Sequence, residues 1–234
     1  MPIVGAFFGV LSGASFLASN YFAGGFVAAV VALLVVHSLN RFLHLDGLSD
    51  LGDGLLSGGG KEKKIAAMKD SRSGAGGVAY VLLFELLSVA ALSTLSARAE
   101  ALWFFAPFAA EVLAKNAMLT CASAGRPAEG LGGIFVRNTK QSAALWSSML
   151  SLLLVLPLGL LLAPYCCCCI HRAAIAILAM TLVSLLVGYL VSRVAMRNFG
   201  IVNGDVLGAT NEIARPFILI AMSVVLRCLE SAQW

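Results

Sequence analysis

The chain has 234 residues, 60% of them hydrophobic and only 12% charged, with a mean hydropathy of +0.93 and a net charge of +4. A soluble domain carries about 25% charged residues, so this composition excludes an ordinary water-soluble fold, and a charge so small and scattered excludes a nucleic-acid partner. Of six cysteines, four are consecutive at Cys166–Cys169; they lack zinc-site spacing and read as a small apolar patch at a helix end, with Cys121 and Cys228 as packing residues.

Apolar runs of about 20 residues, the length that crosses a bilayer as a helix, predict seven spans over about 2–20, 22–42, 78–97, 101–121, 142–164, 172–194 and 215–232. The predicted fold is all-α: a polytopic membrane helical bundle of about seven (six to eight) transmembrane helices, with 1–234 as a single integral membrane domain. The first run follows no basic segment and precedes no small-residue cleavage site, so it is expected to stay as a helix. Polar loops are expected at about 43–77, 122–141 and 195–214.

With the N-terminus inside, the three loops share one side, which takes thirteen of the sixteen Lys and Arg; only Arg98, Arg172 and Arg227 fall opposite. The positive-inside rule then places the loops in the cytoplasm and the chain in the cell membrane as a multi-pass protein. Asp46, Asp50, Asp53, Glu62, Asp70, Glu129, Asp205 and Glu212 gather at the same side. An enzyme with a charged, water-soluble substrate should look like this; a transporter would set more polar groups at mid-bilayer.

The first loop opens with His44-Leu45-Asp46-Gly47-Leu48-Ser49-Asp50-Leu51-Gly52-Asp53-Gly54. On a helix, Asp46, Asp50 and Asp53 at i, i+4 and i+7 form one stripe. Such a cluster is tolerable when a cation sits among it, and oxygen-only ligands favour Mg²⁺ or Mn²⁺ over zinc. A solvated acidic turn is the bland alternative. His44 points off the stripe, so a supporting place competes with a catalytic one.

Lys69-Asp70-Ser71-Arg72-Ser73-Gly74-Ala75-Gly76-Gly77 follows. Cations beside glycines suit oxyanion binding, since backbone N–H groups can approach a phosphate and Arg can grip it bidentately. Asp70 could complete a metal shell. A flexible loop explains the same residues.

Further on, Glu111 and Lys115 are four apart within a span and suit an internal ion pair or the edge of a site. Glu85 has no partner legible in the sequence, and His37 and His171 read as packing or interfacial. Arg126, in a Gly-Arg-Pro turn, could reach a phosphate. Last comes Asn203-Gly204-Asp205-Val206-Leu207-Gly208-Ala209-Thr210-Asn211-Glu212. Asp205 and Glu212 could join a metal site or orient a hydroxyl nucleophile; as a helix N-cap Asp205 would need no function.

The pattern His-Leu-Asp-Gly-Leu-x-Asp-x-x-Asp-Gly at 44–54, Lys-Asp-Ser-Arg-x-Gly at 69–74 and Gly-Asp-Val-Leu-Gly-Ala-x-Asn-Glu at 204–212 resembles the cobalamin (5′-phosphate) synthase family, the adenosylcobinamide-GDP ribazoletransferases. The similarity spans most of the chain. Asn203 departs from an expected Thr, and Lys115 stands where an Arg is expected, a point charge in place of a bidentate fork. The resemblance implies a Mg²⁺-dependent membrane enzyme at the last assembly step of the corrinoid pathway. It would join adenosylcobinamide-GDP to α-ribazole (or its 5′-phosphate) and release GMP. Asp46, Asp50 and Asp53 would hold Mg²⁺. Asp70 would be a further ligand or catalytic acid, and Lys69 and Arg72 would bind the diphosphate. Gly74, Asn211 and His44 would contact substrate. Asp205 or Glu212 would be base or orienter for the ribazole hydroxyl, and the sequence does not choose between them.

The rival readings are a phosphotransferase of the CDP-alcohol type, whose Ala-Arg element is missing here, an aspartate-rich prenyltransferase, and a cation-coupled transporter using Glu85, Glu111 and His37. Short loops in a small protein predict an open cleft, completed by a second protomer if the chain forms a homo-oligomer.

Overall fold

The computed structural model describes residues 1–166 and 170–231. The predicted cysteine patch therefore lies outside the described residues, apart from the Cys166 backbone. The elements are helices α1 (Pro2–Leu39), α2 (Leu43–Leu56), α3 (Lys61–Met68), α4 (Ala75–Ser96), α5 (Ala101–Ala124), α6 (Gly130–Asn138), α7 (Ala143–Leu162), a 3₁₀ turn (Ala163–Cys166), α8 (Ile170–Asn198) and α9 (Gly204–Ser231). No strand occurs among the described residues, so the protein is all-α, as its sequence predicts.

Five segments are long and apolar enough to cross a membrane: Pro2–Leu39, Ala75–Ser96, Ala143–Tyr165, Ile170–Asn198 and Gly204–Cys228. Their outward residues are large and apolar, among them Phe22, Leu153 and Leu182, as a surface facing lipid requires. This is a multi-pass membrane protein.

The first segment is two arms rather than one rod. Gly24 breaks it with φ 79° and ψ 166°, a conformation that only Gly adopts without strain. Before the break, Gly5, Gly9 and Gly13 press in turn against the α5 backbone at Glu111, Phe108 and Phe104. After it, Gly25 meets Ser96 and His37 reaches Glu85, both on α4. The two arms run back past α5 and α4 in opposite directions, matching the predicted spans 2–20 and 22–42.

Helix α5 takes the predicted span 101–121 and sits at the centre, against α1, α7, α8 and α9. Seventeen of its 24 residues are buried, Glu111, Lys115 and Asn116 included. It carries charge because the other helices, not lipid, surround it; a charged group facing hydrocarbon would cost several kcal/mol.

The predicted loops are mostly helical. Helices α2 and α3 fill the first, α6 occupies part of the second, and the third shrinks to residues 199–203 because α9 starts at Gly204. The first turns of α9 bury their polar groups against protein. A hydropathy scan finds lipid contact and so places the start of the last span too late. The chain enters α2 through Arg41 and Phe42, two successive left-handed residues (φ 56° and 61°), which bring α2 sharply back under α9.

Candidate active site

The site forms where α2 crosses α9. Both helices carry glycine at the contact: Gly47 lies on the backbone of Asp205, and a Cβ on Gly208 would stand 3.0 Å from the Cα of His44. This close crossing sets Asp205, from the far end of the sequence, beside the α2 carboxylates. Asn203 fixes it there. Its side-chain oxygen accepts the Val206 N–H at 3.0 Å, and its amide donates to Asp205 Oδ2 at 2.7 Å. Asn203, not Asp205, therefore caps α9, and Asp205 is free of the bland role that its position allowed.

Asp50 is half-buried among like charges. Burial first, then Asp46, Asp205 and Asp53, push its carboxyl up to about 7. Lys69 acts on Asp205 from the other side. Oxygen donors that crowd one another in this way fit a hard divalent cation, whose charge would reverse the upward push. The ligand atoms of the α2 acids do not close into a tight knot. Among the described residues, the group whose ligand atoms all lie within 4.8 Å of one another is His37, Glu85 and Glu212. Mg²⁺ tolerates the looser arrangement because it keeps several of its waters and takes only one or two carboxylates directly.

Asp53 has a structural duty. Its oxygens accept the Gly74 N–H at 2.7 Å and the Gly77 N–H at 2.8 Å, which caps the start of α4. The Gly74 amide thus faces Asp53 rather than an open anion cradle. Gly76 and Gly77 serve the same contact, their Cα atoms packing on Gly52 and Ser49 of α2. Asp70 turns to Arg72: Arg72 Nη2 donates to it at 2.9 Å and Nε at 3.1 Å, and the pair is exposed. Arg72 holds the Asp70 carboxyl down at about 2. Lys69 is also exposed, so both cations are open to an anionic ligand.

Behind the site lies a buried polar network. Arg215, 1% exposed, donates through Nε to Glu111 Oε1 at 2.6 Å, pairs through Nη1 with Glu212, and has Glu85 Oε1 at 3.6 Å. Glu85 in turn meets His37 Nε2 at 3.0 Å. Lys115 donates to Asn211 Oδ1 at 2.7 Å and sits 3.4 Å from His44 Nδ1. Asn211 donates to Glu212 Oε1 at 3.1 Å, and His44 lies 3.5 Å from the same oxygen. Burial pushes His44 below its ordinary range; it faces this network and not the acidic stripe.

The structure thus brings Asp46, Asp50, Asp53 and Asp205 together, with Lys69 alongside. It places His44, Asn211 and Glu212 in the network behind them and leaves Asp70 and Arg72 at the exposed rim. Glu85, Glu111, His37 and Arg215 have partners that the sequence left unassigned. Glu111 and Lys115 do not form the one-helix pair their spacing predicts; each reaches a residue of α9. The only local signal is a pair of acids, Glu85 and Glu111, with His37, Lys115 and Arg215 within otherwise apolar spans.

An all-α, multi-pass membrane protein with a carboxylate cluster at one end of its bundle is the class that fold and site define. A profile of the Cobalamin-5-phosphate synthase family matches residues 1–223. The chain is 32% identical over 245 residues to an adenosylcobinamide-GDP ribazoletransferase of Methanosarcina barkeri, covering 97% of this chain and 81% of that protein. It is 31% identical over 215 residues to the same-named protein of Methanococcoides burtonii (88% and 73% covered), and 38% identical over 204 residues to that of Methanocella arvoryzae (85% and 75%). The chain belongs to the Cobalamin-5-phosphate synthase family. No solved structure matches it.

Proposed function

We propose that the chain is a Mg²⁺-dependent transferase that joins adenosylcobinamide-GDP to α-ribazole or its 5′-phosphate and releases GMP, the last step of cobalamin assembly. Family membership and the names of the relatives support the reaction. The placement of Asp205 beside Asp46 and Asp50 is the observation that carries the mechanism.

In this reading a ribazole hydroxyl attacks the phosphorus that bears the corrinoid arm, the bond to GMP breaks, and the hydroxyl proton passes to Asp205. Asn203 holds Asp205 Oδ2, which leaves the second oxygen to accept the proton. The geometry favours Asp205 over Glu212 as the acid in contact with substrate, because Glu212 is 0% exposed and spent on Arg215 and Asn211. Exposed Lys69 and Arg72 draw in the diphosphate and hold it by charge-assisted hydrogen bonds. Asp46 and Asp50 would hold the metal, with Asp53 lending a spare lone pair while it caps α4. Bound there, Mg²⁺ would neutralise charge on the diphosphate and on the departing GMP. The charge bias of the chain supports a cytoplasm-facing site on a protein of the cell membrane, where a water-soluble nucleotide substrate would have access.

Purified protein in liposomes should release GMP from the GDP-activated corrinoid only when a ribazole substrate and Mg²⁺ are both present. GMP release without the ribazole, or equal rates in EDTA, would count against the reading.

A further inference from the structure

Lys115 is a buried cation that the transferase chemistry leaves unused. It stands on the central helix α5 and is 2% exposed, too enclosed to grip a substrate phosphate. An ammonium in a protein interior is costly unless its donors are engaged. Lys115 engages two different helices. Its Nζ donates to Asn211 Oδ1 of α9 at 2.7 Å and lies 3.4 Å from His44 Nδ1 of α2. The Asn40 amide is also 3.4 Å from that ring nitrogen, and Glu212 Oε1 is 3.5 Å away. Two donors, both nearer than the one acceptor, make Nδ1 the accepting nitrogen. The Phe8 ring covers the ammonium as well, with its centroid 5.3 Å from Nζ.

His44 and Asn211 flank the crossing that builds the site. Gly208 of α9 packs on the His44 Cα, and Gly47, one turn further along α2, packs on Asp205. Helix α2 carries Asp46, Asp50 and Asp53, and α9 carries Asp205, so one side chain from a third helix ties the two supports of the site together. We propose that Lys115 is a positioning residue that holds α2 and α9 in the register setting Asp46 and Asp50 beside Asp205. This role rests on the transferase reading for its kinetic consequence and on geometry alone for its structural one. The next residue on α5 supplies the control. Asn116 is 0% exposed and donates to Ser148 of α7 at 3.2 Å and to Ser184 of α8 at 3.1 Å, so its side chain braces the other side of α5 and bonds neither site helix.

The test compares Lys115→Met, Asn116→Ala and His44→Leu in the purified full chain. Met is unbranched and fills the space of the Lys stem while removing its donors. Hydrogen exchange in the first turns of α2 should rise about tenfold in Lys115→Met, the loss of one charge-assisted hydrogen bond. Its kcat should fall about 10²-fold, the order for a reacting group displaced by an ångström, with KM for both substrates unchanged. Asn116→Ala should lower the unfolding temperature yet keep wild-type exchange at α2 and wild-type kcat. His44→Leu cuts the same link at a partly exposed side chain, so it should raise α2 exchange even if Lys115→Met fails to fold. Wild-type exchange at α2 in both link variants overturns the proposal, as does an equal kcat loss in Asn116→Ala. A raised KM for the diphosphate substrate with kcat unchanged would make Lys115 a substrate ligand and overturn it too. A wild-type protein that releases no GMP would defeat the transferase reading, and the exchange comparison would still decide whether Lys115 holds the crossing.

Discussion

Gly47 lies against the backbone of Asp205 so closely that a Cβ added to it would stand 2.7 Å from the Asp205 carbonyl oxygen and 2.9 Å from its Cα. The neighbour is backbone, so it cannot rotate away. Gly47→Ala should separate α2 from α9 and pull Asp205 off Asp46 and Asp50. Turnover should fall by about 10²-fold, the order expected when a reacting group is displaced by an ångström, while the protein still inserts and purifies as a monodisperse species. Wild-type kcat/KM in the variant would show that the crossing does not position the acid.

Asp205 and Glu212 separate by two measurements. Asp205→Asn should lower kcat by about 10²–10⁴-fold, the range for loss of a proton acceptor, with little change in thermal unfolding. Glu212→Gln removes a partner of a fully buried Arg215, and breaking a buried pair costs about 3–5 kcal/mol. It should therefore lower the unfolding temperature markedly. If the two phenotypes were exchanged, Glu212 would be the acid at the reacting centre.

The upward push on Asp50 sets a pH dependence for metal binding. Its carboxyl is raised from an ordinary 3.8 to about 7, so below pH 7 a proton competes with the cation. Mg²⁺ affinity, read by calorimetry, should fall about tenfold per pH unit from pH 7 to pH 5, and Asp50→Asn should abolish that slope. Without metal the sign reverses for stability. The folded value lies above the unfolded one, so ionising Asp50 costs stability above about pH 7, and that cost disappears as pH falls toward 4. A metal affinity flat across this range would remove Asp50 from the ligand set.

Asp53→Ala should loosen the start of α4. Two backbone N–H groups lose their acceptor, and a lost cap costs about 1 kcal/mol. Hydrogen exchange at Gly74 and Gly77 should rise in the variant. Asp70→Asn, on an exposed pair, should leave stability unchanged, and a fall in substrate KM would report an Arg72 freed to hold the diphosphate. Unchanged exchange at Gly74 would place the α4 anchor elsewhere.

Bilayer-length apolar runs marked α1, α4, α7 and α8 in the sequence, because lipid contact demands hydrophobicity on every outward face. The central α5 is also legible, though the i, i+4 spacing of Glu111 and Lys115 points to a pairing within one helix that the structure replaces. Their partners are on α9, Arg215 lying 104 residues from Glu111, and no local period encodes such a pairing. Arg215 and Lys115 belong by sequence to the basic face, yet they are 1% and 2% exposed inside the bundle. Hydropathy scores a residue by type and cannot distinguish a protein interior from a water-exposed loop. The Asp46, Asp50 and Asp53 stripe lies on a helix, as its spacing predicts, but nothing local marks Asp53 as the cap of α4. That contact depends on three glycines 21 to 24 residues downstream, which the sequence alone read as an anion cradle.

The Asn203 side chain grips Asp205 with one end and the first turn of α9 with the other. The carboxylate is therefore held at the head of a rod that runs the depth of the bundle, and it would have to give up its bond to Asn203 before it could swing toward an arriving molecule. A ligand at this face would thus meet an acid whose direction is set before it arrives.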